Sequence, residues 1–235
     1  MNLLDIAILA VLFFFMLSGF YKGFLSTALS TGAYIVSWLI SIIFLPLAAN
    51  GIKLNADLYN MMLYYTEGSE FINDIELSRA PISSISSSQL SEIITQSDLP
   101  YPMGKEIPSN IANEVFADQG ITTLGDYFNQ TIVCVFINIL VFLFMFVIIR
   151  CILALIINGV DYAWVFPKLQ KGDALLGGCV GLIRGMLAVF LLFMLLPIML
   201  TVLGDFEIIR DFIDGSFFTP FFYRSNFRLS LIPGV

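Results

Sequence analysis

Four apolar stretches of membrane-spanning length constrain this chain more than any other feature: Leu3 to Phe20, Phe24 to Leu45, Thr131 to Ile149 and Met186 to Leu203. Each approaches the roughly 20 residues a helix needs to cross a bilayer core of about 30 Å. Lipid offers no partners to backbone N–H and C=O groups, so runs of this length are helical when they span. The pattern predicts an all-α polytopic membrane protein with four transmembrane helices, arranged as two hairpins with a long extracytoplasmic loop. Residues 1–50 form the first hairpin, 51–130 the loop, 131–203 the second hairpin with a short cytoplasmic connection, and 204–235 an amphipathic extracytoplasmic tail.

With 58% hydrophobic and 12% charged residues, the chain is too apolar for a soluble domain, in which charged residues approach about 25%. The net charge of −7 is concentrated in the loop, where the acids from Asp57 to Asp126 outnumber Lys53, Arg79 and Lys105. Cys134, Cys151 and Cys179 all lie in apolar sequence, so no disulfide framework is expected and buried, inert thiols are. The first apolar run lacks a basic leader, and Ser18 to Gly23 makes a poor cleavage site, so it reads as a retained helix rather than a signal peptide.

Orientation follows from the basic residues. Lys22 lies in the tight turn Tyr21-Lys22-Gly23, Arg150 closes the third run, Lys168 and Lys171 follow it, and Arg184 opens the fourth. The positive-inside rule makes these ends cytoplasmic and both termini external. Arg210, Arg224 and Arg228 in the tail count against that assignment without reversing it. Residues 151–183 fit two arrangements, either as extensions of the third and fourth helices or as an interfacial segment. An arginine at mid-bilayer costs about 2.5 to 3.5 kcal/mol, which favours Lys22, Arg150 and Arg184 sharing one cytoplasmic interfacial layer with snorkelling stems.

Within the loop, Gln89 to Thr95 reads as a short helix capped by Ser87 or Ser88, and Ser109 to Phe116 as a second with Ser109 as its cap. Partial disorder is the competing reading of this Ser-rich region. Beyond Leu203, Phe206, Ile209, Phe212, Ile213 and Phe217 recur at helical spacing among acids, the pattern of an interfacial anchoring helix.

The chain contains no histidine, which removes imidazole bases, His-ligated metals and the His partner of serine or cysteine nucleophiles. No hydrolase, metalloprotease or phosphate-loop motif occurs, so no catalytic residue, metal site or cofactor is assigned and the chain is not expected to be an enzyme. Gly177, Gly181 and Gly185 recur every four residues. On a helix they form a groove into which a second helix can approach closely, with Gly178 beside it. Gly19-Phe20-Tyr21-Lys22-Gly23-Phe24 matches Gly181-Leu182-Ile183-Arg184-Gly185-Met186 in pattern, which two parallel repeated hairpins would explain. Asp5 and Asn138 are the candidate polar sites within spans. Asp5 fits either a proton or cation site or a shallow acid in reach of water, and Asn138 is placed to hydrogen-bond across helices.

Asp5, Tyr21-Lys22-Gly23-Phe24 with Ala28-Leu29-Ser30, the run Leu176 to Gly185, and the tail Ser216-Phe217-Phe218 through Tyr223 and Asn226 together resemble the colicin V production protein (CvpA) family. The resemblance implies a four-helix protein of the bacterial inner membrane, N-out and C-out, linked to colicin V export, biofilm and envelope phenotypes. Some family members carry an external serine protease domain, which has no counterpart in this sequence. The implied function is a non-enzymatic accessory in colicin V or toxin production or export and in envelope homeostasis; the alternative is a small membrane transporter or channel, oligomeric if it encloses a pore. Membrane lipid is the expected partner, with self-association or other envelope or secretion proteins, and no nucleic acid.

Overall fold

The computed structural model describes residues 2–163, 172–203 and 207–235, the side chains of 160–163 and 207–209 excepted. Lys168 and Lys171, assigned above to the cytoplasmic connection, lie outside the described residues, as do the side chains of Phe206 and Ile209. Four helical segments have the length and apolarity to cross a membrane: Leu3–Lys22, Phe24–Lys53, Leu124–Gly159 and Asp173–Leu203. Among the described residues there is no strand, only an isolated bridge between Pro81 and Thr123.

Helix α1 (Leu3–Lys22) starts at a capping box in which Asn2 Oδ1 accepts from the Asp5 N–H and the Asp5 carboxylate accepts from the Asn2 N–H. It stops at Gly23, whose φ of 77° suits a residue without a Cβ. Helix α2 (Phe24–Lys53) runs 30 residues, through Pro46, and so extends past the expected end at Leu45. Its buried polar face solves the problem of hydroxyls in an apolar setting locally. Thr27, Thr31, Ser37 and Ser41 each donate to the carbonyl four residues earlier, at 2.6–2.8 Å.

The loop is folded. Helix α3 (Ala56–Thr66) is capped by Asn55, and α4 (Ile75–Arg79) by Asp74. Helix α5 (Ser87–Gln96) is capped by Ser86, one residue before the expected caps, where Ser86 and Gln89 complete a capping box. Helix α6 (Met103–Ala112) corrects the second loop helix more deeply: it starts at Met103 and carries Pro108 inside it. Met103, Ile107 and Asn110 make a buried stripe at helical spacing, and that burial outweighs the one backbone bond Pro108 forfeits.

Helix α7 (Leu124–Ala163) is 40 residues long, about 60 Å and twice the bilayer core. Thr123 caps it, its hydroxyl accepting from the Asp126 N–H and donating to the Asp126 carboxylate. Nine consecutive residues, Thr131–Ile139, are buried, whereas exposed apolar side chains run from Leu140 to Ile156. The stretch of α7 available to lipid is therefore displaced toward its C-terminus from the expected Thr131–Ile149.

The fourth apolar run is divided. Helix α8 (Asp173–Leu192) begins well before Met186, a tighter turn follows at Phe193–Leu195, and α9 (Leu196–Leu203) resumes. Pro197 has no N–H to bond back to Phe193, which accounts for the break. The tail holds α10 (Glu207–Asp214) and α11 (Thr219–Arg224), so the expected amphipathic helix ends before Phe217.

Two compact units result. One comprises Met1–Pro46, Phe142–Met194 and Glu207–Asn226; the other comprises Leu47–Val141, Leu195–Phe206 and Phe227–Val235. We call them the glycine unit and the loop unit.

Candidate functional site

Helices α1 and α8 run antiparallel in the glycine unit and meet along glycines. A Cβ on Gly177 would lie 2.7 Å from the Gly23 carbonyl carbon, and one on Gly181 would lie 3.2 Å from the Gly19 Cα and closer still to the Phe15 carbonyl oxygen. Gly19 in turn faces Gly177 and Gly181, and Gly185 faces Phe15 and Leu12. The Phe20 ring lies over Gly178, where a Cβ would stand 2.6 Å from its edge. All six glycines singled out in the sequence thus lie in or beside one seam, where backbone meets backbone.

The two matching hexapeptides stand in different local structures. Gly19 to Phe24 crosses a helix end and a turn, whereas Gly181 to Met186 lies mid-helix in α8. Their likeness reflects two different demands, a positive φ at Gly23 and close approach at Gly185. At the mouth of the seam, Asp173 Oδ1 accepts from the Phe24 N–H at 3.1 Å, so a carboxylate from α8 caps the start of α2.

One turn inside the end of α1, two arginines converge. Arg184 Nη1 donates to Ser30 Oγ at 2.8 Å, and Arg150 Nη2 donates to the same oxygen at 3.0 Å. Arg184 Nη2 reaches Ser18 Oγ at 3.5 Å, and its guanidinium carbon stands 4.9 Å from the centre of the Phe15 ring. Arg184 is only 6% exposed. Among the described residues neither arginine has a carboxylate partner, and Arg184 Nε and Arg150 Nη1 are buried without an acceptor. Lys22, in contrast, is exposed and takes no part. Of the three bases expected in one layer, Lys22 is exposed at the turn, Arg150 is partly buried and Arg184 is buried one turn further in. Burial removes hydration from Arg184, and its ring contact with Phe15 offsets about 0.5 to 2 kcal/mol of that cost.

Asp5 lies toward the opposite end of α1, about 20 Å from Ser18 at 1.5 Å per residue. It is fully buried, which corrects the expectation of a shallow acid in reach of water. Its Oδ1 accepts from the Ser216 hydroxyl at 2.6 Å and the Phe218 N–H at 3.1 Å. Its Oδ2 accepts from the Asn2 N–H at 2.9 Å and the Phe217 N–H at 3.2 Å. Ser216 Oγ also accepts from the Thr219 N–H at 3.1 Å, which fixes the turn into α11. One carboxylate thereby clasps the tail to α1. Asn226 makes a second clasp, its side-chain amide donating to the Phe190 carbonyl of α8 at 2.9 Å, while Phe222 packs against Phe190 and Phe193.

In the loop unit, Asn138 hydrogen-bonds to the tail and not to another spanning helix: its amide donates to Pro233 O at 2.8 Å and Val235 O at 3.2 Å. Asn110 likewise donates to Thr131 Oγ1 and to Gly234 O. The thiols also depart from expectation. Cys134 is buried, but Cys151 and Cys179 are exposed at the protein surface, and all three are free. Ser18, Ser30, Asp173 and Ser216 had no assigned role in the sequence reading. Ser30 and Ser216 stand within the motifs that carried the family resemblance, yet a serine in an apolar run signals nothing about which arginine or acid it meets. No group of residues able to hold a metal ion occurs among the described residues.

A four-span helical architecture, sealed by a glycine seam and a clasped tail, defines a polytopic integral membrane protein. The chain belongs to the colicin V production protein family, whose model matches residues 4–75 and 112–225. The match covers α1, α2, α7, α8 and most of the tail; the stretch between its two parts contains α5 and α6. The family is not a known enzyme family. No curated protein and no solved structure is significantly similar to the chain.

Proposed function

We propose that this protein is a non-enzymatic accessory of the bacterial inner membrane that serves colicin V or toxin production or export and envelope homeostasis, with both termini external. The observation that carries this reading is the state of Asp5. A proton or cation site needs a carboxylate that can exchange ligands, and here both oxygens are occupied by four donors belonging to the protein itself. That arrangement supports a structural clasp over a conducting acid. Because the clasp joins the start of α1 to the tail, it also supports the two ends of the chain lying on one side of the membrane.

Complementation of a deletion strain tests the functional class. Asp5→Asn keeps the shape but turns an acceptor oxygen into an NH2 group facing backbone or hydroxyl donors. A clasp predicts that Asp5→Asn and Ser216→Ala reduce abundance and expose the tail to external protease, with the envelope phenotype lost in proportion. Loss of the phenotype at normal abundance and normal protease resistance would instead establish the transporter reading. Orientation is tested in a cysteine-free background with an impermeant thiol reagent on intact cells. Cysteines introduced at Glu76 and Phe227 should label, and one at Lys168 should not; labelling at Lys168 overturns the assignment.

A further inference from the structure

We propose that Arg150, Arg184 and Ser30 bind the phosphate of an acidic membrane phospholipid, with an acyl chain lying along the adjoining groove of α2 and α7. The inference is separate from the export reading and rests on two features of the glycine unit. The first is the arginine pair. Two guanidiniums bonded to one serine oxygen repel each other, and neither has a carboxylate among the described residues. Arg184 Nε and Arg150 Nη1 are buried N–H donors without an acceptor, an arrangement that native proteins rarely leave unanswered. Ser30 Oγ accepts from both arginines, and its own proton donates to none of the described residues. An oxyanion placed there would collect three donors, and the planar forks of arginine suit the oxygens of a phosphate.

The second feature is the groove. A cavity of 520 Å³ is lined wholly by apolar residues, including Leu25, Ala28, Leu29 and Gly32 of α2 with Leu153 and Ile157 of α7. Leu153 and Ile157 follow Arg150 by three and seven residues, so they continue its face of the helix. The α7 wall of the groove thus adjoins Arg150. Leu29 and Val36 on the α2 wall are exposed, so the groove opens at the protein surface. A ligand with a negative head and a hydrocarbon chain matches both features, and the depth of the arginines, one turn inside the helix end at Lys22, suits the headgroup boundary.

The full chain, purified in detergent, is titrated with phosphatidylglycerol, phosphatidylcholine or inorganic phosphate and followed by native mass spectrometry. Phosphatidylglycerol is expected to bind at least about tenfold more tightly than the zwitterionic lipid. Arg150→Gln and Arg184→Gln should each lower phosphatidylglycerol binding by about tenfold. Arg150 is only partly buried, so its variant keeps the test open if Arg184→Gln does not fold. Gly32→Phe fills the groove at a position where an added Cβ meets nothing within 4 Å, and it should weaken lipid binding while leaving the melting temperature unchanged. Equal binding of the two lipids, or wild-type phosphatidylglycerol binding in Arg150→Gln, overturns the proposal. So does inorganic phosphate that competes fully and is indifferent to Gly32→Phe, since that result assigns the site to a soluble anion.

Discussion

The glycine unit and the loop unit hold helices together by opposite means. Where α1 meets α8, side chains are removed so that backbone approaches backbone, with glycines at 19, 23, 177, 181 and 185. Around the N-terminal half of α7 the reverse holds: Tyr127, Phe128, Ile132 and Ile137 are large and almost fully buried, and Phe116, Tyr127 and Cys134 form a cluster flanked by Tyr59, Ile82 and Ile111. In lipid, apolar side chains gain little by leaving their surroundings for a neighbouring helix, so close van der Waals approach of small residues is what favours association. Around α7 the contact is made instead by large side chains, whose removal leaves a cavity. The α1–α8 seam should therefore tolerate no added volume and the core around α7 no removed volume.

The strongest way to break this contrast is Gly181→Leu. Its side chain would enter the space of the Phe15 carbonyl and the Gly19 Cα, neither of which can move without separating α1 from α8. Folded yield and α1–α8 cysteine cross-linking should both collapse, and wild-type values for both would remove the seam as an organising element. In the loop unit, Phe128→Ala deletes a fully buried ring and should lower stability by about 3 to 5 kcal/mol, measured by denaturant or thermal unfolding in detergent. A smaller loss there would mean that this core relaxes around cavities.

The clasps sharpen the contrast on a finer scale. Asp5→Asn should cost about 1 to 3 kcal/mol, because a buried donor is left facing a donor, and tail protection from protease should fall with it. Asn138→Leu is expected to have the least effect, on the order of 0.6 kcal/mol and at most about 1.7. Its Oδ1 already lacks a partner. A large loss on Asn138→Leu would show that the tail bonds to Pro233 and Val235 matter more than their geometry indicates.

Much of the architecture was legible because it depends on local chemistry. Apolar runs of bilayer length specify helices in any environment that lacks water, so the four spans and the all-α class could be read directly. The four-residue glycine period likewise identified a contact face, since a helix without side chains on one side has no other stable use for that side. The loop was harder. Its helices rest on buried stripes such as Met103, Ile107 and Asn110, and burial overrode the local signal of Pro108.

What only the tertiary structure decided are the pairings across the chain. Composition placed Asp5, Arg150, Arg184 and Asn138 in or beside spans and could not name their partners. Those lie far away in sequence: Ser216 for Asp5, Ser30 for both arginines, Pro233 for Asn138. The same limit made a shallow acid of Asp5, which is fully buried. A residue's type sets what it demands of its surroundings, whether an acceptor, a counter-charge or empty space. Which segment meets the demand depends on packing between helices distant in the chain, and a single sequence carries no local record of that choice.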